Sequence, residues 1–165
     1  MGMSVTISAA TEQDAEQILK LQYLSFQSEA ALYGNYRIDP LVQTLDSVRE
    51  EVAHDCVIVA RLGEEVVGSV RGRVGEDGAA VIGKLCVHPR LQGHGIGARL
   101  LRAVETALTE KHGATRFRLH TGHRSENNLR LYRRVGYETV GTDQGTDGVP
   151  MIVLEKPAGS YAATA

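Results

Sequence analysis

Three glycines at alternate positions, Gly93, Gly95 and Gly97, separate an apolar run ending in Leu85-Cys86-Val87 from a run with Leu100, Leu101, Val104 and Leu108 at helical spacing. No other stretch restricts the fold so strongly. His88-Pro89 follows the apolar run, and proline, lacking an N–H, ends strand pairing. The glycines allow turns that a Cβ would forbid. The helix then begins with unpaired N–H groups at its tip and the positive end of its dipole. A strand, a glycine turn and a helix start together make a main-chain anion pocket sized for phosphate oxygens.

Three phosphate-binding patterns compete for this stretch. The Walker A pattern needs a glycine followed by Lys-Ser or Lys-Thr, and no such pair occurs here. The dinucleotide fingerprint is met on paper by Gly93, Gly95 and Ala98. Five residues intervene after Val87, however, and the next strand-like run, Arg116 to Thr121, carries no carboxylate for a ribose. The third pattern is a pyrophosphate loop. Gln92-Gly93-His94-Gly95-Ile96-Gly97 resembles the Gln/Arg-x-x-Gly-x-Gly/Ala signature of the GNAT superfamily of acyl-CoA-dependent N-acetyltransferases. Leu85-Cys86-Val87-His88-Pro89 before it and Ala98-Arg99-Leu100-Leu101 after it are similar to that family's flanks. A plain turn with no ligand explains less, since clustered glycines weaken a helix start.

The chain has 165 residues, 42% of them hydrophobic and 23% charged, and a formal charge of −2. That is enough for one domain with a core, and gives no electrostatic footprint for nucleic acid. Arg116, Arg118, Arg124, Arg130, Arg133 and Arg134 do gather locally. They read as a mixture of solvated face and positive rim. Cys56 and Cys86 lie in apolar runs without metal-ligand spacing, so the expectation is reduced buried thiols and no metal site. No apolar run approaches membrane-spanning length, and cytoplasmic location is the default.

In chain order, Val5-Thr6-Ile7 reads as a strand. Thr11 reads as a helix cap, followed by a stripe of Ala15, Ile18, Leu19, Gln22, Tyr23 and Phe26. Tyr33-Gly34-Asn35-Tyr36 breaks the helix. Asp39-Pro40 restarts one, with Asp39 as cap and Leu41, Leu45, Val48 and Val52 on its apolar face. Cys56 to Ala60, Val66 to Val74 and Ala79 to Val87 form an antiparallel meander, and in the middle strand Val66, Gly68, Val70, Gly72 and Val74 share one face with Arg71 and Arg73 on the other. The glycine-loop helix stops at His112-Gly113. Arg116 to Thr121 is a strand, and Ser125 caps a helix bearing Leu129, Tyr132 and Val135. Tyr137 to Gly141 and Val149 to Glu155 are strands around a loop from Thr142 to Gly148. The fold class is therefore α/β (α+β): a mixed, mostly antiparallel sheet flanked by helices, with one parallel pair around the glycine loop. Residues 1–156 read as a single domain and 157–165 as a disordered tail. This is also the element order that the resemblance implies.

A second motif extends the resemblance. Ser125-Glu126-Asn127-Asn128-Leu129-Arg130-Leu131-Tyr132-Arg133-Arg134-Val135-Gly136-Tyr137 is similar to the family's Asn-x-x-Ala/Asn-x-x-Leu-Tyr-x-x-x-Gly-Phe/Tyr segment, with Ser125 in place of the family's first Asn, and follows the glycine loop by about thirty residues. The resemblance then implies roles. Gln92, Gly93, His94, Gly95, Ile96, Gly97 and Ala98 would hold the CoA pyrophosphate. The main chain of Leu85 and Val87 would pair with the pantetheine arm, and Asn128 would bond its amides. Tyr132 would sit beside the sulfur as general acid, and the Val87 N–H would meet the developing oxyanion. The family often places a glutamate on the strand before the loop as general base, but Ala79 to His88 contains no carboxylate. His120, Asp39 and a water chain are the candidates.

The resemblance implies an acetyl-CoA-dependent N-acetyltransferase working by direct attack of an amine. A non-catalytic acyl-CoA-binding regulatory domain is the alternative, and a nucleotide-dependent oxidoreductase a distant third. The acceptor is left open between a small-molecule amine, such as an antibiotic, polyamine or amino acid, and a protein N-terminus. Tyr33 to Asp39 and Thr142 to Gly148 are the expected acceptor-pocket loops. Nucleic-acid and membrane partners are not expected, and a homodimer is left open.

Overall fold

The computed structural model describes residues 4–145 and 148–159. Seven strands form one sheet in the order β1-β2-β3-β4-β5-β7-β6. They are β1 (Val5–Ala9), β2 (Cys56–Leu62), β3 (Glu65–Val74), β4 (Ala79–Val87), β5 (Arg116–Gly122), β6 (Glu138–Gln144) and β7 (Pro150–Pro157). The helices are α1 (Ala15–Ser25), α2 (Gln27–Tyr33), α3 (Asp39–Val42), α4 (Leu45–His54), α5 (Ile96–His112) and α6 (Glu126–Arg134). The β1–β2, β2–β3, β5–β7 and β6–β7 ladders are antiparallel, and β4–β5 is parallel, as the crossover through a helix requires. By its contacts the chain divides into two compact units. One comprises the chain up to Gly72 and Lys84–Val104; the other comprises Arg73–Gly83 and the chain from Glu105 onward.

In the first unit Ala15, Ile18 and Leu21 of α1, Val48 of α4, Val57 and Val59 of β2, Val66 of β3 and Cys86 of β4 make one core cluster. The expected α1 stripe is rotated at its end: Leu21 is buried, whereas Tyr23 is exposed. The single helix expected from Asp39 is two. Gln43 and Thr44 are extended, and the Thr44 hydroxyl caps α4 by accepting from the Ser47 N–H at 3.2 Å. Asp39 is the first residue of α3, and Ile38 occupies its cap position. Arg71, on the face opposite the valines of β3, is buried. Its Nε lies 2.7 Å from Glu51 of α4, and its Nη2 donates to Gln22 of α1. An alternating strand pattern shows which residues share a face, but not whether a helix covers that face.

At Gly68 α5 lies directly against β3. A Cβ there would lie 2.9 Å from Leu100 Cδ1 and 3.3 Å from both the Ala60 Cβ and the Cys86 carbonyl oxygen. The missing side chain is what lets the helix lie flush on the strand.

In the second unit Phe117 and Leu119 of β5, Leu154 of β7, Leu108 of α5 and Tyr137 are buried. Arg116 and Arg118 point to the other side of β5. They are ion-paired with Asp77 and Glu155, Arg116 to Asp77 at 3.0 Å and Arg118 to Glu155 at 2.7 Å. These two arginines therefore do not form a free positive rim. β6 runs on to Gln144, so the loop expected from Thr142 begins later, and its residues 146 and 147 lie outside the described residues. β7 runs through Pro157, and the Ala158 N–H donates to the Thr115 carbonyl at 3.0 Å. The rest of the expected tail, residues 160–165, lies outside the described residues.

Thr11 begins the approach to α1, and its N–H donates to Asp14 Oδ2 at 2.8 Å. Buried Asp14 also accepts both arms of Arg61, at 2.7 and 2.6 Å. The guanidinium bonds, more than any other contact, hold the Asp14 carboxyl below the usual carboxylate range. The folded protein thus binds this proton less readily than the unfolded chain. The resulting stabilisation is complete above the unfolded value of about 3.9 and is lost as pH falls through the lower folded value. Asp14→Asn should reduce unfolding free energy at pH 7 by ~1.5–3 kcal/mol. It should also flatten the decline of stability below about pH 4, measured by urea titration across pH.

Candidate active site

The glycine turn is built by local backbone chemistry in the first unit. After β4, His88 accepts the Arg90 N–H on Nδ1 at 3.1 Å, and Pro89–Leu91 make one tight helical turn. Gly93 and Gly95 then take φ of +83° and +77°, the left-handed region that favours glycine. Apart from the adjoining residues, no atom of the described residues lies within 4 Å of where a Cβ would stand on either. Gly97 lies within the first turn of α5. The first α5 bond shown runs from the Arg99 N–H to the Gly95 carbonyl at 3.2 Å. The N–H groups of Ile96, Gly97 and Ala98 precede it and have no carbonyl one turn back.

Side chains brace this turn. Gln92 Nε2 donates to the Val87 carbonyl at 3.3 Å, tying the loop to the end of β4. His94 folds back on its own loop, its Nδ1 lying 3.1 Å from the Leu91 carbonyl and 3.2 Å from that of Gln92. The Val87 carbonyl also accepts from the Ser25 hydroxyl of α1 at 3.3 Å, a contact that sequence spacing does not announce.

β4 is not a regular strand. Lys84 has φ of +51° and is the one non-glycine residue of positive φ among the described residues. An irregularity of this kind bends a strand and interrupts its ladder. The β4–β5 ladder covers Ala79–Ile82 against Arg116–Leu119, whereas Leu85 and Val87 lie beyond it on β4, both half-buried. Lys84 Nζ is held 3.2 Å from Glu51, the carboxylate that also pairs with Arg71.

Cys86 lies between Leu85 and Val87, but it is buried. Burial raises its thiol to about 12, against a smaller opposing effect of Arg71. Such a thiol is not a nucleophile near neutral pH.

The second motif falls in the second unit. Ser125 stands at the cap position of α6, but its hydroxyl makes no cap bond. Asn128 is half-buried, with Nδ2 at 3.5 Å from the Thr121 hydroxyl of β5. Tyr132 is buried one turn on, its ring centroid 6.2 Å from that of Tyr137 at an interplanar angle of 60°. α6 closes at Gly136, whose φ is +105°. His120 alternates with Thr121 and so occupies the other face of β5. It is exposed, with Nε2 at 4.0 Å from Asp143 of β6.

Sequence reasoning missed a buried trio in this unit. Glu105 of α5 accepts from the Tyr137 hydroxyl at 2.7 Å and from Lys156 Nζ at 3.0 Å. The one signal was a carboxylate on the apolar stripe of α5, one position after Val104.

A sequence profile described as the acetyltransferase (GNAT) family matches residues 15–137. The chain belongs to that family. No curated protein sequence matches it. Among solved structures, the PaiA N-acetyltransferase of Thermoplasma acidophilum, in complex with coenzyme A, is similar with a TM-score of 0.79 and 17% identity over 94% of this chain and 99% of that one. The IAA acetyltransferase of Bacillus cereus gives a TM-score of 0.69 and 23% identity, over 93% and 99% of the two chains. The ribosomal-protein-S18-alanine N-acetyltransferase of Escherichia coli gives 0.69 and 19%, over 94% of each chain. These likenesses show a common fold. Among the described residues, no helix is long and apolar enough to cross a membrane.

Native protein treated with a thiol alkylating agent at pH 7.5 should leave Cys86 unmodified, and Cys86 should react fully only in denaturant. Peptide mass mapping of the two cysteines checks this.

Proposed function

We propose that the protein transfers an acetyl group from acetyl-CoA to an amine acceptor by direct attack. The observation that carries the reading is the turn from β4 into α5, where two left-handed glycines in open space precede the amides of Ile96, Gly97 and Ala98. Those amides suit the two phosphates of CoA, with Gln92 and the backbone of Gly93, His94 and Gly95 shaping the turn. The main chain of Leu85 and Val87, past the end of the β4–β5 ladder, suits an extended pantetheine arm. Asn128 adds an amide partner. Membership of the acetyltransferase family supports the cosubstrate, as does the similarity to PaiA, whose structure was solved in complex with coenzyme A.

In the transfer a C–N bond forms and the C–S bond of the thioester breaks. The Val87 N–H faces the oxygen as it gains charge. Tyr132 gives its proton to the departing sulfur. Thiolate, whose acid has a pKa of about 8.5, is a weaker base than phenolate, whose acid has a pKa of about 10, so the phenolate left on Tyr132 takes a proton back from solvent. The amine loses its proton to a base on the acceptor side. His120 is our candidate, supported by its exposure at the end of β5 and by its place 4.0 Å from Asp143 of β6. The acceptor is a small-molecule amine or a protein N-terminus. Tyr36, 58% exposed between α2 and α3, is a candidate surface for it.

An amine panel with acetyl-CoA, read by release of free thiol, tests the activity; no turnover above hydrolysis with any amine would count against it. Gly95→Val forces a branched side chain into the left-handed region and into the space beside the loop. It should weaken acetyl-CoA binding at least 10-fold by calorimetry; unchanged affinity in a folded variant would remove the loop from the site. Tyr132→Phe keeps the ring and deletes the donor. It should lower kcat by ~10²–10⁴-fold with acetyl-CoA affinity little changed, whereas a packing role alone would leave kcat near wild type.

A further inference from the structure

We infer that Glu105 is a positioning residue for Tyr132, acting through the side chain of Tyr137. The inference rests on the reading of Tyr132 as the general acid. Glu105, Tyr137 and Lys156 are each no more than 2% exposed. One carboxylate oxygen of Glu105 takes the Tyr137 hydroxyl at 2.7 Å, and the other takes Lys156 Nζ at 3.0 Å. The same ammonium stands 5.5 Å from the centre of the Tyr137 ring. The ring is therefore held at its hydroxyl by an anion and flanked by a cation, and its backbone N–H donates to the Tyr132 carbonyl at 2.9 Å. Tyr132 rests against it, the two centroids 6.2 Å apart and tilted by 60°.

Gly136 completes the assembly. Its φ of +105° is reached readily only by glycine, and a Cβ there would lie 3.5 Å from Lys156 Cε. The lysine stem thus lies over the turn that joins Tyr132 to Tyr137.

Stability alone gives a poor account of this arrangement. Burying a carboxylate and an ammonium costs desolvation, and apolar side chains of similar volume often fill such a space as well or better. A phenylalanine would supply the same ring. The charged pair adds direction: with its hydroxyl on Glu105, the Tyr137 ring cannot swing without leaving a buried anion short of a donor. A fixed Tyr137 restricts the tilt of Tyr132, and small displacements of a catalytic group are costly in rate.

A double-mutant cycle tests this, with kcat measured where chemistry limits the rate, acetyl-CoA affinity by calorimetry and stability by thermal melts. Tyr137→Phe should lower kcat by about 10- to 10²-fold with acetyl-CoA affinity unchanged. In the Tyr132→Phe background the same substitution should have no further effect, because the hydroxyl being aimed is gone. Glu105→Gln, which keeps an acceptor oxygen for Tyr137, should retain more kcat than Glu105→Ala. A folded Tyr137→Phe with wild-type kcat would overturn the inference, as would an equal loss in both backgrounds. Should Glu105→Ala fail to fold, the Tyr137→Phe cycle still decides. Wild-type kcat in Tyr132→Phe alone would remove the acid role and this inference together. A low kcat there, with no effect of Tyr137→Phe, would remove only the inference.

Discussion

Two neighbouring strands of this sheet, β4 and β5, run parallel, and a parallel pair cannot be joined by a hairpin. The chain has to leave the end of β4, cross over and return to start β5 in the same direction. A helix of 17 residues makes the crossing, so its N-terminus falls just after the last residues of β4. The helix opens with amides that have no carbonyl one turn back, and the glycines bring the chain into it through left-handed turns. A helix start beside the glycine turn is thus a consequence of the topology, and Gly68 lets that helix lie close to β3.

The buried and half-buried charges serve different ends. Asp14 and Arg61 tie the start of α1 to β2 with a planar two-point contact. Glu51 gathers Arg71, Lys84 and Gln43, and so holds α4 against β3 and against the irregular residue of β4. Glu105, Lys156 and Tyr137 fix the turn after α6. Each carboxylate is met by more than one donor, which offsets the cost of taking it out of water. By contrast Arg116 and Arg118, with Asp77 and Glu155, form a more exposed ladder that adds little to stability.

The family assignment rests on the match over residues 15–137, which spans the glycine loop and the α6 segment together. Either motif alone is a common structural device: glycines before a helix make turns, and a tyrosine one turn from a helix end packs. Their order, strand and glycine turn first and capped helix with tyrosine second, is what made the resemblance specific.

Much of the fold was legible from residues within a few positions of one another. Ala79 to Val87 read as β4 to the residue, the glycine turn was placed where φ turns positive, and Gly113 and Gly136 marked helix ends in the left-handed region. Periodicity, capping and left-handed glycines are local constraints, and neighbouring residues encode them. The break at Gln43-Thr44 was harder to read, because apolar spacing runs through both α3 and α4 and hides the change of axis. Arg71 read only as lying opposite the valines of β3, and nothing near Glu105 marked it out, yet both are buried. Their partners lie far along the chain, Gln22 at 49 residues from Arg71 and Lys156 at 51 from Glu105. The sequence by itself determined the strands, most of the helices, the glycine turn and the candidate chemistry of the loop. Only the tertiary structure decided which polar side chains enter the core and which groups face them, because that depends on strand register and helix placement over distances that no local pattern spans.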